Sequence, residues 1–546
     1  MADDIDAVRV ICEGGLNTNE NSLSLSGDLP GSATRLLNFE PSNSGGYRRI
    51  NGFTPLDPEA EIVDSAGAEG PVLGVYGFYN SKKRGTEYFS ARKVLGENKY
   101  NLYRLEDSEW KVVTLPQDRM MSGVHSDVVR VRFDSMNWGS GSNMFFVDGV
   151  NPLVWYDGLV FKEIKYFVEE PTEENPGGVM MLPAPSVMTL FKNHLVVSGD
   201  AEKPFIVAHS APNDPTKWTA AAGAGQLYPG HNVVNIRPFR DELYVFGEER
   251  IRKMLPDQTA GFVLKDVTYD LGCIARDSLL EVGGNLIFLS QDGLRPVAGT
   301  DKINDVDLGL LTVDVQPQMD EIILNGDLRS FVGVVIKNKT QFRYFYNSEA
   351  LAVEDSIGLL GAVRNSRRTG RDWEFAELLG IRAYSTWSGM SSGREVVIHG
   401  DYNGGVYRQE QGNSFNGREI LSIYSTPYLD FGNTNFRKTL RTINTFVRFE
   451  GFCEILIGIK KDWGDKRSIS SPNERITDFK ENTRYDHING VYDDEGTVYG
   501  DSDISVIKKN IRGSGFSHQF SFVSEGIFDP FVIQGFVVGL SNKGQQ

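Results

Sequence analysis

Short apolar runs that end in glycine-containing turns dominate this chain. Within residues 271–299, an apolar run at 285–290 meets a turn at Gln291-Asp292-Gly293, and a second apolar run follows at once. Asp-Gly between two such runs is the strongest short signal for a β-hairpin, because the tight turn needs positive φ at its central residues. The pattern therefore predicts a hairpin over residues 285–298.

The same unit recurs along the chain at a nearly regular distance. The central residues of four such hairpins lie 50, 48 and 44 residues apart: Val147, Val197, Val245 and Leu289. A further unit is centred on Ile398, about two periods later, and a strand–turn–strand pattern at 329–347 supplies a copy in that gap. A period of roughly 40–50 residues with several strands is typical of β-propeller blades. The alternative is a set of unrelated hairpins in a β-sandwich.

Changes in the pattern divide the chain into three parts, all without long helices, so the predicted fold class is all-β. Residues 1–70 are rich in Asn, Ser, Gly and Pro, and we expect an extended segment that wraps over another surface. Residues 71–420 hold the repeated hairpins, and we expect a β-propeller of about six or seven blades, some of them irregular. Residues 421–546 alternate over longer runs and predict a C-terminal β-sandwich-like platform module.

Two local patterns make more specific predictions. Glu450-Gly451 separates two alternating runs, which predicts a hairpin in which Thr442–Phe449 pairs with Cys453–Ile459. In the gap before Ile398, residues 313–323 have the apolar spacing of a short helix.

Composition narrows the classes of function. The 546 residues are 40% hydrophobic, which is ample for a large core. Lys and Arg number 56 against 73 Asp and Glu, and the formal charge of −17 disfavours tight binding to nucleic-acid phosphates. The scattered Cys12, Cys273 and Cys453 fit a reducing compartment. We find no secretory signal and no run of about 18 apolar residues, so we expect no membrane span.

Motifs for catalysis or metal binding are scarce. One GxSxG motif, residues 389–393, is followed by a strand and not by the helix of a nucleophile elbow, so a flexible loop is the better interpretation. Oxygen-rich loops at 401–404 and 501–503 lack the trailing Glu of a calcium loop. We therefore expect no catalytic residues, no metal site and no cofactor.

Two basic clusters are the candidate contact sites for DNA phosphate or for an acidic partner surface. One lies in the GGYRRINGF segment, and the other lies in a loop with the sequence RNSRRTGR, for which a solvated loop is the alternative. The candidate residues are Arg48, Arg49, Arg364, Arg367, Arg368 and Arg371.

Three parts of the chain resemble one known family. They are EGGLNTNENSLSLSGDLPGSATRLLNFEPSNSGGYRRINGF at 13–53, LGCIARDSLLEVGGNLIFLSQDGLRPVAG at 271–299, and STPYLDFGNTNFRKTLRTINTFVRFEG at 425–451 with FVIQGFVVGL at 531–540. Together they resemble the tail nozzle proteins of short-tailed bacteriophages, also called tail tubular protein B or packaged-DNA stabilisation proteins. Residues 300–420 and 460–515 take no part in the resemblance.

The resemblance implies a structural virion protein with a β-propeller and no enzymatic activity. Six copies would form a homo-hexameric ring below the tail adaptor protein, and tail fibres or spikes would dock nearby. The ring would conduct genomic DNA without sequence specificity and retain it until ejection. The protein would be assembled in the host cytoplasm and reside in the virion tail. We expect the arginines of the RNSRRTGR loop to face the ring channel or a neighbouring subunit.

Two other classes remain open. A propeller that serves as a protein-interaction module would be favoured by Gly-His and Trp-Asp repeat signatures, and the sequence has none. A propeller glycosidase or lyase would need Asp or Glu side chains that converge at the mouth of the ring, which the sequence alone does not reveal.

Overall fold

The computed structural model is built almost wholly from antiparallel strands. It describes residues 6–59, 61–62, 70–121, 130–139, 141–164, 167–169, 179–180, 182–257, 261–297, 309–346, 357–364, 373–432, 434–463, 474–478 and 504–542. In this part of the chain, no helix is both long enough and apolar enough to cross a membrane.

The N-terminal segment contributes short strands and one helix. Asn21 caps the helix, because its side chain accepts hydrogen bonds from the backbone of Leu23 and Ser24. The elements are β1 (Asp6–Ile11), α1 (Ser22–Asp28), β2 (Arg35–Leu37), β3 (Phe39–Pro41), β4 (Tyr47–Arg49), β5 (Phe53–Pro55) and β6 (Glu61–Ile62).

The next strands form four sheets in succession along the chain, which are blades one to four. Blade one holds β7 (Val72–Asn80), β8 (Gly85–Lys93), β9 (Lys99–Glu106), β10 (Glu109–Val112) and β11 (Arg119–Met120). Blade two holds β12 (Arg132–Trp138), β13 (Gly141–Val147), β14 (Val154–Tyr156) and β15 (Phe161–Glu163), and a hairpin of β16 (Phe167–Glu169) and β17 (Val179–Met180) follows. Blade three holds β18 (Val187–Phe191), β19 (His194–Ser198), β20 (Val207–His209) and β21 (Gly225–Leu227). Blade four holds β22 (Asn235–Phe239), β23 (Glu242–Phe246), β24 (Ile251–Asp257) and β25 (Gly261–Thr268).

Three further sheets complete the ring. Blade five holds β26 (Leu280–Val282), β27 (Asn285–Ser290) and β28 (Gly293–Pro296), and helix α2 (Gln316–Asn325) follows it. Blade six holds β29 (Val332–Ile336), β30 (Gln341–Phe345), β31 (Ile357–Val363) and β32 (Trp373–Leu379). Blade seven holds β33 (Ser385–Ser391), β34 (Arg394–Gly400) and β35 (Val406–Gln409), with β5 as its fourth strand.

The repeat predicted from the sequence is confirmed as a propeller. Each of the evenly spaced hairpin centres lies in the second strand of its blade, from β13 in blade two to β27 in blade five. The pattern at 329–347 is the β29–β30 hairpin of blade six. The predicted helix near 313–323 is also present, as a 3-10 turn at Val313–Val315 followed by α2.

Apolar side chains fill the spaces between consecutive blades. One buried cluster joins blades three and four, with Val187 and Val196 packed against Ile236 and Val245. Another joins blades four and five, with Phe246 against Phe288. Because each sheet is covered on both faces by its neighbours, the core is divided into layers around the axis.

A strand from the N-terminal segment completes the last blade. Strand β5 pairs antiparallel with β35, with Phe53 opposite Gln409 and Pro55 opposite Tyr407. Phe53 also stacks on Phe415, with ring centroids 5.2 Å apart. Blade seven is thus built from two distant parts of the chain, which holds the ring together.

The C-terminal strands form a β-sandwich. They are β36 (Ile420–Ser425), β37 (Lys438–Phe449), β38 (Cys453–Lys461), β39 (Glu474–Asp478), β40 (Ser505–Gly515), β41 (His518–Gly526) and β42 (Phe531–Asn542). One sheet has the order β3-β4-β42-β37-β40 with β1 on β42, and β2-β36-β41-β38-β39 belong to the other. Phe520 and Phe522 of one sheet contact Phe536 of the other, with ring centroids 5.3 and 5.4 Å apart.

The hairpin predicted across Glu450-Gly451 is wrong. Strand β37 pairs with β40 and β42, whereas β38 pairs with β39 and β41, so the chain crosses from one sheet to the other at this turn. Both strands bury alternate side chains, and facing sheets satisfy that pattern as well as a hairpin does. The Asp529 carboxylate accepts a hydrogen bond from the backbone N–H of Phe452 at 3.0 Å and fixes the crossing.

The sandwich and the propeller share one sheet. Strand β2 pairs parallel with β32 of blade six at Leu37 and antiparallel with β36 of the sandwich. The Asn38 side chain donates to the carbonyl oxygens of Leu379 and Leu421, which belong to the two modules. A nine-stranded sheet therefore runs from β29 in blade six to β39 in the sandwich.

Candidate functional site

The axis of the propeller encloses a cavity of about 680 Å³, which we call the channel cavity. The first strands of all seven blades line it, from Leu73 in β7 to Trp387 in β33. It extends from the starts of these strands to the turns that follow them at Gly283 and Lys337. Concave sites of this kind on a propeller axis are where ligands are expected first.

A bidentate ion pair spans the cavity at the end where the first strands begin. Nε and Nη2 of Arg132, in blade two, donate to the two carboxylate oxygens of Asp277 at 2.7 and 2.6 Å. Asp277 directly precedes blade five, which lies three blades further around the ring. Nη1 of Arg132 also donates to the carbonyl oxygen of Ser186, beside blade three. Side chains therefore cross this mouth of the propeller.

Arg130 and Arg276 extend this arrangement, and we call Arg130, Arg132, Arg276 and Asp277 the mouth cluster. Nη2 of Arg130 donates to the carbonyl oxygen of Ser330 at 2.9 Å, and its guanidinium lies 4.8 Å from the ring centroid of Tyr384. Arg276 donates from Nε to the Val234 carbonyl oxygen and from Nη1 to Ser186 Oγ. The mouth cluster thus contacts residues next to blades two to seven.

Charge in the mouth cluster is unbalanced, with three guanidinium groups around one carboxylate. Burial by itself would raise the pKa of Asp277, but Arg132, Arg130 and Arg276 outweigh it and lower the pKa. Arg130 is only 4% exposed, and its Nε has no hydrogen-bond partner among the described residues. The nearest carboxylate oxygen, on Asp277, lies 3.8 Å away.

Two further charged side chains, Asp134 and Arg237, also line the channel cavity. Asp134 follows Arg132 on the same face of β12, and Arg237 projects into the cavity from β22. Burial raises the pKa of Asp134, against the opposing effect of its hydrogen bond from the Ser135 backbone and of Arg237. Arg237 is exposed to the cavity and makes no hydrogen bond or ion pair with the described residues.

Aromatic rings form another part of the cavity wall. Tyr76 stacks on Phe133 with ring centroids 5.4 Å apart and meets the edge of Trp387 at 5.9 Å. The indole of Trp387 fits against two glycines, since an added Cβ would lie 2.4 Å from it at Gly77 and 2.3 Å at Gly389. The cavity therefore combines cationic, acidic and aromatic groups.

The two arginines predicted as contact sites near the N-terminus are bound within the chain. The Arg49 guanidinium donates to the backbone carbonyl oxygens of Ile420, Gly526 and Phe528 and is fully buried. Burial lowers the pKa of Arg49 to about 10. The Arg48 guanidinium donates to the carboxylates of Glu40 and Glu450.

The other predicted contact residues lie in or beside the RNSRRTGR loop. Nη1 of Arg364 donates to Oε2 of Glu374 at 2.9 Å, next to the N-terminal segment and away from the channel cavity. Arg367, Arg368 and Arg371 lie outside the described residues. Contact of this loop with a ring channel or with a neighbouring subunit stays a prediction.

The GxSxG motif, predicted as a loop, ends strand β33 and forms the turn into β34, and the first oxygen-rich loop is also a turn. Ser391 pairs with Arg394 across the turn between β33 and β34, where Ser392 and Gly393 have positive φ. The Asp401 carboxylate accepts hydrogen bonds from the backbone N–H groups of Asn403 and Gly405. Residues 501–503 lie outside the described residues. Within the described ranges, no group of three or more His, Cys, Asp or Glu is placed to hold a metal ion.

A second buried set of charges lies where the modules meet, and we call it the junction cluster. It comprises three acids and three bases from the N-terminal strands, blades six and seven, and the sandwich: Glu40, Arg48, Lys339, Arg343, Glu410 and Glu450. Arg48 pairs with Glu40 at 2.9 Å and with Glu450 at 2.6 Å. Lys339 bridges Glu40 and Glu410. These pairs fix the sandwich to the propeller.

Sequence reasoning missed both clusters. Arg130 and Arg132 are two residues apart at the start of a first strand, and such spacing places both on one face. The first strand of each blade lines the propeller axis, so charged residues on one face of such a strand could have indicated a charged site on the axis. Their partner Asp277 lies 145 residues further along the chain, and no local pattern indicates that pairing.

Comparisons with known proteins add little to this geometry. No protein-family model matches the chain, and no curated protein matches it. Among solved structures, the crystal structure of an ancestral GH74 enzyme matches with 9% sequence identity and a TM-score of 0.38, over 66% of this chain and 53% of that one. The chain thus spans about half of the length of that structure. A likeness this remote supports no conclusion about activity.

Proposed function

We propose that this protein is a structural subunit of the distal tail nozzle of a short-tailed bacteriophage. Six copies form a ring that conducts the packaged genome and retains it until ejection, without enzymatic activity. The proposal starts from the resemblance of residues 13–53, 271–299, 425–451 and 531–540 to that family.

One observation supports it most. The segments that resemble the nozzle proteins are far apart in sequence but contribute to one hydrophobic core. Strand β42 pairs with both β4 and β37, and this core also contains Ile287 and Leu289 of blade five. The segments that resemble the nozzle proteins therefore lie in the core that joins the propeller to the sandwich. This core determines the shape of the subunit.

The DNA path in this proposal lies between subunits. The channel cavity of about 680 Å³ has room for roughly twenty water molecules at about 30 Å³ each. A DNA duplex, whose major groove alone is about 12 Å wide, does not fit there. The Arg132–Asp277 pair also crosses one end of the propeller axis. A ring of several copies is needed to form a channel that is wide enough.

The charge of the chain suits a channel that releases DNA. With a formal charge of −17, the subunit repels phosphates, so the genome slides past with little adhesion. The RNSRRTGR loop supplies a local positive group that slows or holds the strand end. The tail adaptor protein binds one face of the ring, and tail fibres or spikes bind nearby.

Imaging of the purified chain with and without the tail adaptor protein tests the proposal. We expect six-fold rings with an axial hole when the adaptor is present. Replacement of Arg367, Arg368 and Arg371 by Ser is expected to leave the rings intact and to reduce DNA retention in assembled particles. A matched control replaces three exposed arginines elsewhere: Arg240, Arg329 and Arg394.

Two results would contradict the proposal. One is a chain that stays monomeric in the presence of the adaptor at every concentration. The other is release of reducing sugars from glycans by the purified monomer, which would favour the propeller glycosidase.

A further inference from the structure

We propose that the channel cavity is a binding site for a small oxyanion, a carboxylate or a phosphate, which is held by Arg237 together with Arg130 and Arg132. This site is separate from the ring channel of the proposed function and would exist in a single subunit.

The charge of the cavity wall differs from that of the whole chain. Four cationic side chains and three acidic ones line the cavity: Arg130, Arg132, Arg237 and Lys337, with Asp134, Asp277 and Glu281. The wall is therefore slightly positive within a chain whose formal charge is −17. A cleft whose own charge is positive attracts an anion even when the whole protein is acidic, because the local potential follows the nearest charges.

Two of the arginines have donors that the described residues do not use. Arg237 lines the cavity and makes no ion pair or hydrogen bond with any described residue. The Nε of Arg130 is buried without a hydrogen-bond partner, although the residue lines the cavity and is only 4% exposed. A buried donor without an acceptor is unfavourable by roughly 1–3 kcal/mol, and a bound oxyanion would remove that penalty.

The spacing of these groups suits a ligand of several atoms. Arg130, Arg132 and Asp134 follow one another at two-residue intervals, about 7 Å apart along an extended strand. Arg237 lies near Asp134, since it affects the pKa of that carboxyl. A bound oxyanion would meet Arg237 and the mouth cluster on the same cavity wall, and the rings of Tyr76 and Trp387 provide a flat surface for the rest of the ligand.

Isothermal titration of the full-length chain at pH 7 tests the site, with sodium citrate and sodium phosphate as the probes. Sodium chloride at the same ionic strength is the control, because it shows how much of the measured heat comes from general salt effects and not from binding at the site. We expect saturable binding of one or both probes. Binding of citrate alone would identify a carboxylate ligand, and binding of phosphate alone would identify a phosphate ligand.

Two variants separate the site from general charge effects. Arg237→Gln removes the unpaired cation and should weaken binding by about tenfold or more. Arg240→Gln is the matched control, since Arg240 lies three residues further on, is exposed and does not line the cavity. It should bind like the unchanged chain. Equal binding by both variants, or no saturable binding of either probe to the unchanged chain, would overturn the proposal.

Discussion

Arg132 and Asp277 are 145 residues apart in sequence and form a bidentate ion pair across the propeller axis, with N–O distances of 2.7 and 2.6 Å. The pair joins blade two to the segment before blade five and crosses one mouth of the channel cavity. It also means that the ring is held together by contacts across its axis as well as by the strand β5 that completes blade seven.

The first prediction concerns Asp277→Asn. The change leaves three guanidinium groups without their shared carboxylate, and loss of one partner of a buried pair destabilises by about 3–5 kcal/mol. Because about one fifth of each side chain in the Arg132–Asp277 pair is exposed, we expect a smaller loss of about 2–3 kcal/mol. Urea denaturation followed by circular dichroism measures it.

A rim ion pair gives the control for that substitution. Asp266 pairs with Arg250 and Arg252 at the edge of blade four, and Asp266 and Arg250 are each 28% exposed, against 19% for Asp277. Asp266→Asn should cost less than about 1 kcal/mol. Equal losses for the two variants would show that the mouth cluster does not stabilise the ring.

The second prediction is a loss of stability in acid that depends on Glu410. Burial alone would raise its pKa, but Arg343 and Lys339 outweigh it and lower the pKa from 4.5 to about 2. The carboxylate stays charged in the folded state at a pH where the unfolded chain binds a proton. Its stabilising effect is therefore complete above about pH 4.5 and is lost as the pH falls toward 2.

The free energy of unfolding of Glu410→Gln, measured from pH 6 to pH 3, checks this. The variant should be less stable at pH 6 and should lose less stability on acidification than the unchanged chain. Parallel pH profiles for the two chains would contradict the predicted role of the junction cluster.

The third prediction concerns His399. Burial and the nearby Arg343 lower its pKa from 6.5 to about 3, so it is neutral in the folded protein. The unfolded chain binds this proton below pH 6.5, and the stabilising effect of the neutral ring is lost as the pH falls below that value. We expect about 2 kcal/mol of the loss in stability between pH 7 and pH 5 to come from this residue.

NMR titration of histidine ring protons tests it directly. The His399 signal should not shift between pH 7 and pH 5, whereas a histidine that titrates near 6.5 would move through this range. The variant His399→Phe should show a flatter stability profile over the same interval. A titrating His399 in the folded protein would refute the prediction.

The fourth prediction concerns the glycine that faces Trp387. A Cβ at Gly77 would lie 2.4 Å from the indole, so Gly77→Ala should displace the ring and cost about 1–3 kcal/mol. Gly85→Ala, in the next strand, meets nothing within 4 Å and should be neutral or slightly stabilising. Tryptophan fluorescence should change only for Gly77→Ala, and denaturation should rank the two variants in this order.

Much of the propeller was predictable because its signals are local. The apolar runs on either side of Asp292 form the β27–β28 hairpin as expected, with Leu289 paired to Leu294. The turn differs from the predicted one, because Gln291 and Asp292 occupy it without positive φ and Gly293 already begins β28. The regular spacing of such units identified the blades, since one blade must follow another along the chain. The resemblance to nozzle proteins added a function that local signals do not contain, and that function remains a proposal.

Local sequence patterns predicted the wrong contacts where a segment had more than one possible partner. Strands β37 and β38 have the alternation of a hairpin, yet they lie in opposite sheets of the sandwich. Arg49 belonged to a cluster that we predicted as a contact site, and its guanidinium binds three backbone carbonyl oxygens inside the chain. Both the strand pairing and the burial of Arg49 depend on residues that are distant in sequence, which a local pattern does not identify.

The sequence by itself determined the strands, the turns and the period of the blades, because alternation and turn residues act over a few positions. Only the tertiary structure decided which strand completes blade seven, and it also decided which side chains meet across the axis. Arg132 and Asp277 illustrate the reason. Their pairing depends on how seven sheets close into a ring, and ring closure is a property of the whole chain.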